Sequence, residues 1–147
     1  MRRLLPCLAL SFLLAAFAQA GDPPALHPVV GHWFFHKKLY QDQEMPEPPG
    51  ATLRMHFEFK EDGESLLYWW HEGESDHCRR KGRYFVEDGH IVDEVTWVDP
   101  ENTMHCSQDP DMHLGRKTRT PYYFYGEDLA LRFHLGDEPL DLIWKRL

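Results

Sequence analysis

Between Thr52 and Lys60 the side chains alternate without exception. Leu53, Met55, Phe57 and Phe59 fall on one parity, and Arg54, His56, Glu58 and Lys60 on the other. A period of two sends the sets to opposite faces of a pleated strand, an arrangement no helix reproduces. The stretch therefore reads as a strand with one dry face and one wet face. Glu61-Asp62-Gly63-Glu64 then forms a hairpin turn into Ser65–His71, which is apolar on both faces through Leu66, Leu67, Tyr68, Trp69 and Trp70.

This pattern governs the rest of the chain. No helical periodicity persists beyond two turns, and short apolar or alternating stretches recur between turn residues. Further strands are expected at Val30–Tyr40, Lys81–Glu87, Ile91–Val98, Lys117–Tyr125, Leu129–His134 and Leu140–Arg146. Asp88-Gly89, Gly126-Glu127-Asp128 and Gly136-Asp137-Glu138-Pro139 supply turns. Gln41–Gly50, with Pro46, Pro48 and Pro49, is a long loop that cannot join a central strand, and Met104–Gly115 is a second. Pro121 delays or interrupts the strand that contains it. Eight strands joined mostly by tight turns form an antiparallel up-and-down meander. Such a sheet hides its edges by closing, which makes an all-β barrel of about eight strands the expected fold. An immunoglobulin-like sandwich is disfavoured because Trp97 lies nearer Cys106 than Cys78, and because the hairpins are too short for Greek-key crossovers.

The N-terminus carries a different signal. Arg2 and Arg3 precede a mostly apolar run from Leu4 to Phe17, followed by Ala18-Gln19-Ala20. This is the order of a cleaved export signal. Residues 1–20 are read as the signal peptide, 21–28 as a Pro-rich flexible arm, and 29–147 as one barrel domain. Cys7 leaves with the signal. Loss of two arginines moves the net charge from −8 to −10. So acidic a chain excludes nucleic acid as a partner, since phosphate binding needs a basic surface. No later stretch is apolar enough for a membrane helix. The expected location is periplasmic or secreted. In that setting an even pair of cysteines, Cys78 and Cys106, reads as a disulfide bond.

Gly31-His32-Trp33 at the start of the first strand resembles the G-x-W signature of the lipocalins. Trp144-Lys145-Arg146 closes the sequence. The resemblance implies that Trp33 packs across the closed end of the barrel against an Arg near the chain end, with Arg146 as the match and Lys145 as the fallback. A guanidinium stacks well on an indole face. Two departures are plain. Gly126-Glu127-Asp128 stands where lipocalins carry a Thr-Asp-Tyr motif, and no helix follows the last strand. The chain is thus similar to short, bacterial lipocalin-like proteins. Gly31, Trp33, Trp144 and Arg146 are the expected structural residues.

Trp33, Phe35, Phe57, Phe59, Tyr68, Trp70, Tyr84, Phe133 and Trp144 are turned inward on period-two grounds. Phe35, Phe57, Phe59, Tyr68, Trp70, Tyr84 and Phe133 form the candidate ligand-binding set, an apolar cavity with a few polar handles. The alternative is a barrel packed solid by the same rings, acting through a protein partner. His105, Cys106 and His113, beside Met104 and Met112, offer soft ligands for copper or zinc, although their spacing matches no closed zinc pattern. No nucleophile elbow, zinc-protease or P-loop motif is present. Asp93 and Glu94 point to opposite faces of a strand and cannot share a proton. The reading is an exported, non-catalytic, lipocalin-like protein that binds a small apolar molecule and needs no cofactor. Soft-metal binding and partner binding are its alternatives.

Overall fold

A computed structural model describes residues 26–147. The expected signal peptide, with Cys7, and residues 21–25 of the expected arm lie outside the described residues. Nine strands follow in order: β1 (Gly31–Tyr40), β2 (Gln43–Met45), β3 (Leu53–Phe59), β4 (Glu64–His71), β5 (His77–Glu87), β6 (His90–Val98), β7 (Lys117–Tyr125), β8 (Asp128–Leu135) and β9 (Glu138–Arg146). Two short 3₁₀ turns, Met104–Gln108 and Pro110–Met112, lie between β6 and β7.

Every ladder is antiparallel, and each of β3 to β8 pairs with its successor. β1 pairs with β3 through residues 31–34 and with β9 through residues 33–40, so the sheet closes on itself as an eight-stranded barrel. Closure leaves the barrel strands without a long open edge. The short β2 lies within the expected loop and pairs with Lys38–Tyr40, occupying the edge of β1 that β3 leaves free. Pro121 does not interrupt β7. It falls at the last pair with β6, immediately before the strand takes β8 as partner at Tyr122.

β5 begins at His77, four residues before the expected Lys81. His77-Cys78-Arg79-Arg80 looks like a solvated loop by composition, yet Cys78 and Arg80 are both buried. Alternation holds there, with a charge on the inner face.

The main core gathers Val29, Trp33, Phe35, Phe57, Phe59, Ile91, Leu129, Leu131 and Trp144 inside the barrel. A smaller cluster of Leu39, Ala130 and Ile143 lies on the other face of the same sheet. The cause is a bulge in β1 between Phe35 and Lys37. One extra residue reverses the strand's parity. Leu39 therefore leaves the core side and packs outside, beside Asp141. That carboxylate takes two hydrogen bonds from Arg132, at 2.8 and 2.9 Å, and one from the Tyr123 hydroxyl at 2.7 Å. The Arg132 guanidinium holds the Asp141 carboxyl below its usual range. Burial, then the bond to Asp141, pushes Tyr123 up to about 12.

Candidate functional site

The two ends of the barrel differ because their loops differ. At one end β3–β4, β5–β6 and β7–β8 are joined by tight turns, and the start of β1 lies across it. Trp33 is fully buried there and donates from Nε1 to the Val29 carbonyl at 2.7 Å. Arg146 is its cross-strand partner, with the guanidinium carbon 4.3 Å from the indole centroid. The same guanidinium donates to the carbonyls of Val30 at 2.8 Å and Pro28 at 2.6 Å. Gly31 has φ +147°, and a Cβ there would stand 2.4 Å from Arg146 Nη1. Only glycine leaves room for the stacked guanidinium. The last residues of the expected arm are tied to this end: Pro28 by Arg146, and His27 by a 3.3 Å hydrogen bond with Tyr122.

The opposite end opens into a cavity of about 710 Å³. Its walls include Leu53, Met55, Phe57, Phe59, Leu67, Trp69, Ile91, Leu131, Phe133, Leu142 and Trp144, with Thr118 and Thr120 from β7. This volume lies within the range of drug-sized ligand sites. The interior is therefore not packed solid at this end.

The mouth is partly roofed by the β6–β7 loop. Cys106 in the first 3₁₀ turn is disulfide-bonded to Cys78 on the inner face of β5, with Cα atoms 5.5 Å apart. Met112, from the second turn, is buried against this pair and packs with Leu67 and Trp69. Asp109 and Asp111 come from the roof, and Arg116, Lys117 and Arg119 from the start of β7, to form a charged rim.

One feature of the wall is polar. Arg80 and Asp93 are each only 4 % exposed, and both line the cavity. Nη1 of Arg80 lies 2.7 Å from Oδ2 of Asp93, close enough for an ion pair but off hydrogen-bond alignment. Ser65 donates to Oδ1 of Asp93 at 2.6 Å, and the guanidinium carbon of Arg80 lies 5.5 Å from the Phe57 ring centroid. Gly82 makes room for this group, because a Cβ there would meet Asp93 Oδ1 and Ser65 Oγ at 2.6 Å and the Glu94 carbonyl at 2.8 Å. A bulge between Lys81 and Gly82 marks the same point. Sequence reasoning missed Arg80 and Asp93, although Ile91 and Val95 at the same parity place residue 93 inward.

Of the candidate ligand set, Phe57, Phe59 and Phe133 line the cavity. Phe35 and Tyr84 pack in or against the core, with the Tyr84 hydroxyl donating to the Lys60 carbonyl at 2.8 Å. Tyr68 and Trp70 do not face inward. The register pairs Phe57 with Leu67 and Met55 with Trp69, so Leu67 and Trp69 take the inner face of β4. Tyr68 and Trp70 stack on the outer face at 4.9 Å, near Phe34. A strand apolar on both faces carries no parity of its own, and that is the reason for this correction. His56 shares the outer side, stacked on His32 at 5.6 Å. Burial, assisted by the neighbouring His32, pulls its pKa down.

The structure does not assemble the candidate metal ligands His105, Cys106 and His113. The disulfide removes the Cys106 thiolate, His105 is exposed, and His113 shares a hydrogen bond with the Ser107 carbonyl at 2.8 Å. Among the described residues, no group of three or more His, Cys, Asp or Glu is arranged to hold a metal ion.

A closed antiparallel barrel, sealed at one end by a stacked Trp–Arg pair and hollow at the other, defines a lipocalin-like fold. A crystal structure of a lipocalin-like protein from Bacteroides uniformis superposes with a TM-score of 0.53 at 14 % identity, covering 82 % of this chain and 100 % of that one. A second, of an uncharacterized protein from Bacteroides eggerthii, gives 0.47 at 15 % identity, covering 80 % and 98 %. At these identities the first likeness establishes the fold alone. No protein-family model matches the chain, and no curated protein does.

Proposed function

We propose that this protein is an exported, non-catalytic carrier that holds a small apolar molecule inside its barrel. The observation that carries the reading is the cavity itself, about 710 Å³ with mostly apolar walls, open at the end opposite Trp33. Burying apolar surface there stabilises a complex by roughly 25 cal/mol per Å² removed from water, before the costs of association. The signal-like N-terminus and the Cys78–Cys106 disulfide support a periplasmic or secreted location.

Fluorescence titration with an apolar dye tests the binding, together with native mass spectrometry of protein purified from its own compartment. Saturable one-to-one binding is expected, and Leu131→Trp, which fills the cavity, should weaken it strongly. An unliganded mass together with no saturable dye signal would overturn the reading.

A further inference from the structure

The outer wall of the barrel carries a hollow of about 620 Å³ that shares no lining residue with the chamber inside. Leu39, Asp42, Pro121, Tyr123, Tyr125 and Arg132 are among its lining residues. The register brings them together. Arg132 lies opposite Asp141 and Asp141 opposite Leu39, while Tyr123 lies opposite Ala130 and Ala130 opposite Ile143. Leu39, Ala130 and Ile143 make a buried floor, with Tyr123 packed against it. Arg132 engages the buried Asp141 through Nε and Nη2, which fixes the guanidinium and leaves Nη1 without a partner among the described residues. The Arg132 side chain is 39 % exposed and Tyr125 is 51 % exposed, so solvent reaches both.

A strained turn supplies the remaining polar group. β1 and β2 are joined by Gln41 and Asp42 alone, and both have positive φ, +50° and +60°. A two-residue turn of this hand favours Asn-Gly, because other side chains meet steric cost there. This one has neither residue. It is tied to β9 by the Gln41 N–H, which donates to the Pro139 carbonyl at 3.3 Å, and it sets Asp42 at the hollow. Strain kept in this way points to a use for the side chain it displays.

We propose that this outer hollow binds a neutral saccharide. Asp42 only accepts hydrogen bonds and Arg132 only donates them, and vicinal hydroxyls do both on neighbouring atoms. The C–H face of a sugar ring packs against an exposed tyrosine, which is apolar across its ring and polar at its tip. An anion gains little, because the cations beside the hollow are already paired, Arg132 with Asp141 and Lys37 with Glu44 at 2.9 Å. A cation finds the rings already occupied: Lys37 Nζ lies 5.8 Å from the Tyr125 centroid, and the Arg132 guanidinium carbon 5.1 Å from that of Tyr123.

Amide NMR of the isotope-labelled protein tests this, with maltohexaose, cellohexaose and chitohexaose as neutral probes and hexagalacturonate and spermidine as charged ones. At least one neutral hexasaccharide should give saturable shifts at Tyr123, Tyr125 and Arg132 without displacing an apolar dye from the chamber. Asp42→Asn and Tyr125→Ala, both at exposed positions, should each weaken that binding about tenfold, the scale of one charge-assisted contact. Gln41→Asn/Asp42→Gly should raise the urea midpoint and weaken binding to the same extent, a combination that a merely structural turn would not give. No saturable shift from any neutral probe, shifts confined to other residues, or unchanged affinity in these variants would overturn the inference. So would tighter binding of hexagalacturonate or spermidine at the same residues. None of these results bears on the carrier reading, which the dye titration tests alone.

Discussion

The stacked pair at the closed end can be weighed by a double-mutant cycle on Trp33 and Arg146. The guanidinium carbon sits 4.3 Å from a fully buried indole, well inside the reach of a cation–π contact. Such contacts contribute about 0.5 kcal/mol when exposed and about 2 kcal/mol when desolvated. Arg146 has one face on the indole and its remainder towards solvent, so a coupling near 1 kcal/mol is expected. Its bonds to the Val30 and Pro28 carbonyls add to the single-variant loss but stand outside the coupling, since neither involves the ring. Arg146→Ala should therefore lose about 2–3 kcal/mol, discounting those charge-assisted bonds for exposure. Trp33→Ala should lose roughly 3–5 kcal/mol as a large core deletion. The double variant should fall short of the sum by about 1 kcal/mol. Arg146→Lys should recover less than half of the loss, because an ammonium lacks the fork that spans two carbonyls. Urea unfolding followed by circular dichroism is the suitable assay, because Trp33 is itself a fluorophore. Losses that add within about 0.3 kcal/mol would refute the energetic coupling and leave the two residues merely adjacent. Fraying at the chain end does not account for the contact, since the Leu147 N–H donates to the His32 carbonyl at 3.0 Å.

Two further outcomes follow from the mouth and the outer face. Replacing Cys78 and Cys106 together by Ser should cost roughly 3–4 kcal/mol, the loop entropy for a separation of 28 residues, and should release the roof of the cavity. Faster dye exchange should accompany that loss, and thiol labelling of the unfolded, unreduced wild type should find no free thiol at either position. Burial holds the folded pKa of His56 below the ordinary histidine value of about 6.5, so the unfolded chain binds the extra proton first. The stability linked to this group is complete above pH 6.5 and declines as pH falls through the depressed value. His56→Phe should flatten that part of the urea-midpoint profile, and an unchanged slope would remove His56 as its source.

Much of the barrel is legible in the sequence because alternation and turns act locally. Leu53 to Phe59 shows its inner face by parity alone, and Asp88-Gly89 joins β5 to β6 at the expected place. β4 shows where such reading stops. Leu66 to Trp70 is apolar at every position, so period-two reasoning has nothing to choose between. The missing information lies in the neighbouring strand: once the turn through Gly63 fixes the pairing, the partner of inward Phe57 is Leu67, and Tyr68 is forced out. The outward position of Leu39 is hidden for a related reason. Its parity is reversed by a bulge at His36, and no glycine marks that position in the sequence.

The polar part of the cavity was hidden by a stronger assumption, that charged residues on a strand mark its wet face. Arg80 and Asp93 break it in compensation, each supplying the charge that makes the other's burial tolerable. Gly82 is the third member, since a side chain there would collide with both Asp93 and Ser65. A pair placed only for stability would be poorly chosen, because an apolar pair of similar volume is often as stable or more so. What this pair supplies and leucines would not is a fixed, buried charge pair in an otherwise largely apolar wall, with the guanidinium held towards Phe57. The closed end, with Gly31, Trp33 and Arg146, explains how the barrel holds together. The Gly82, Arg80 and Asp93 group sets a buried charge pair into the wall of the cavity.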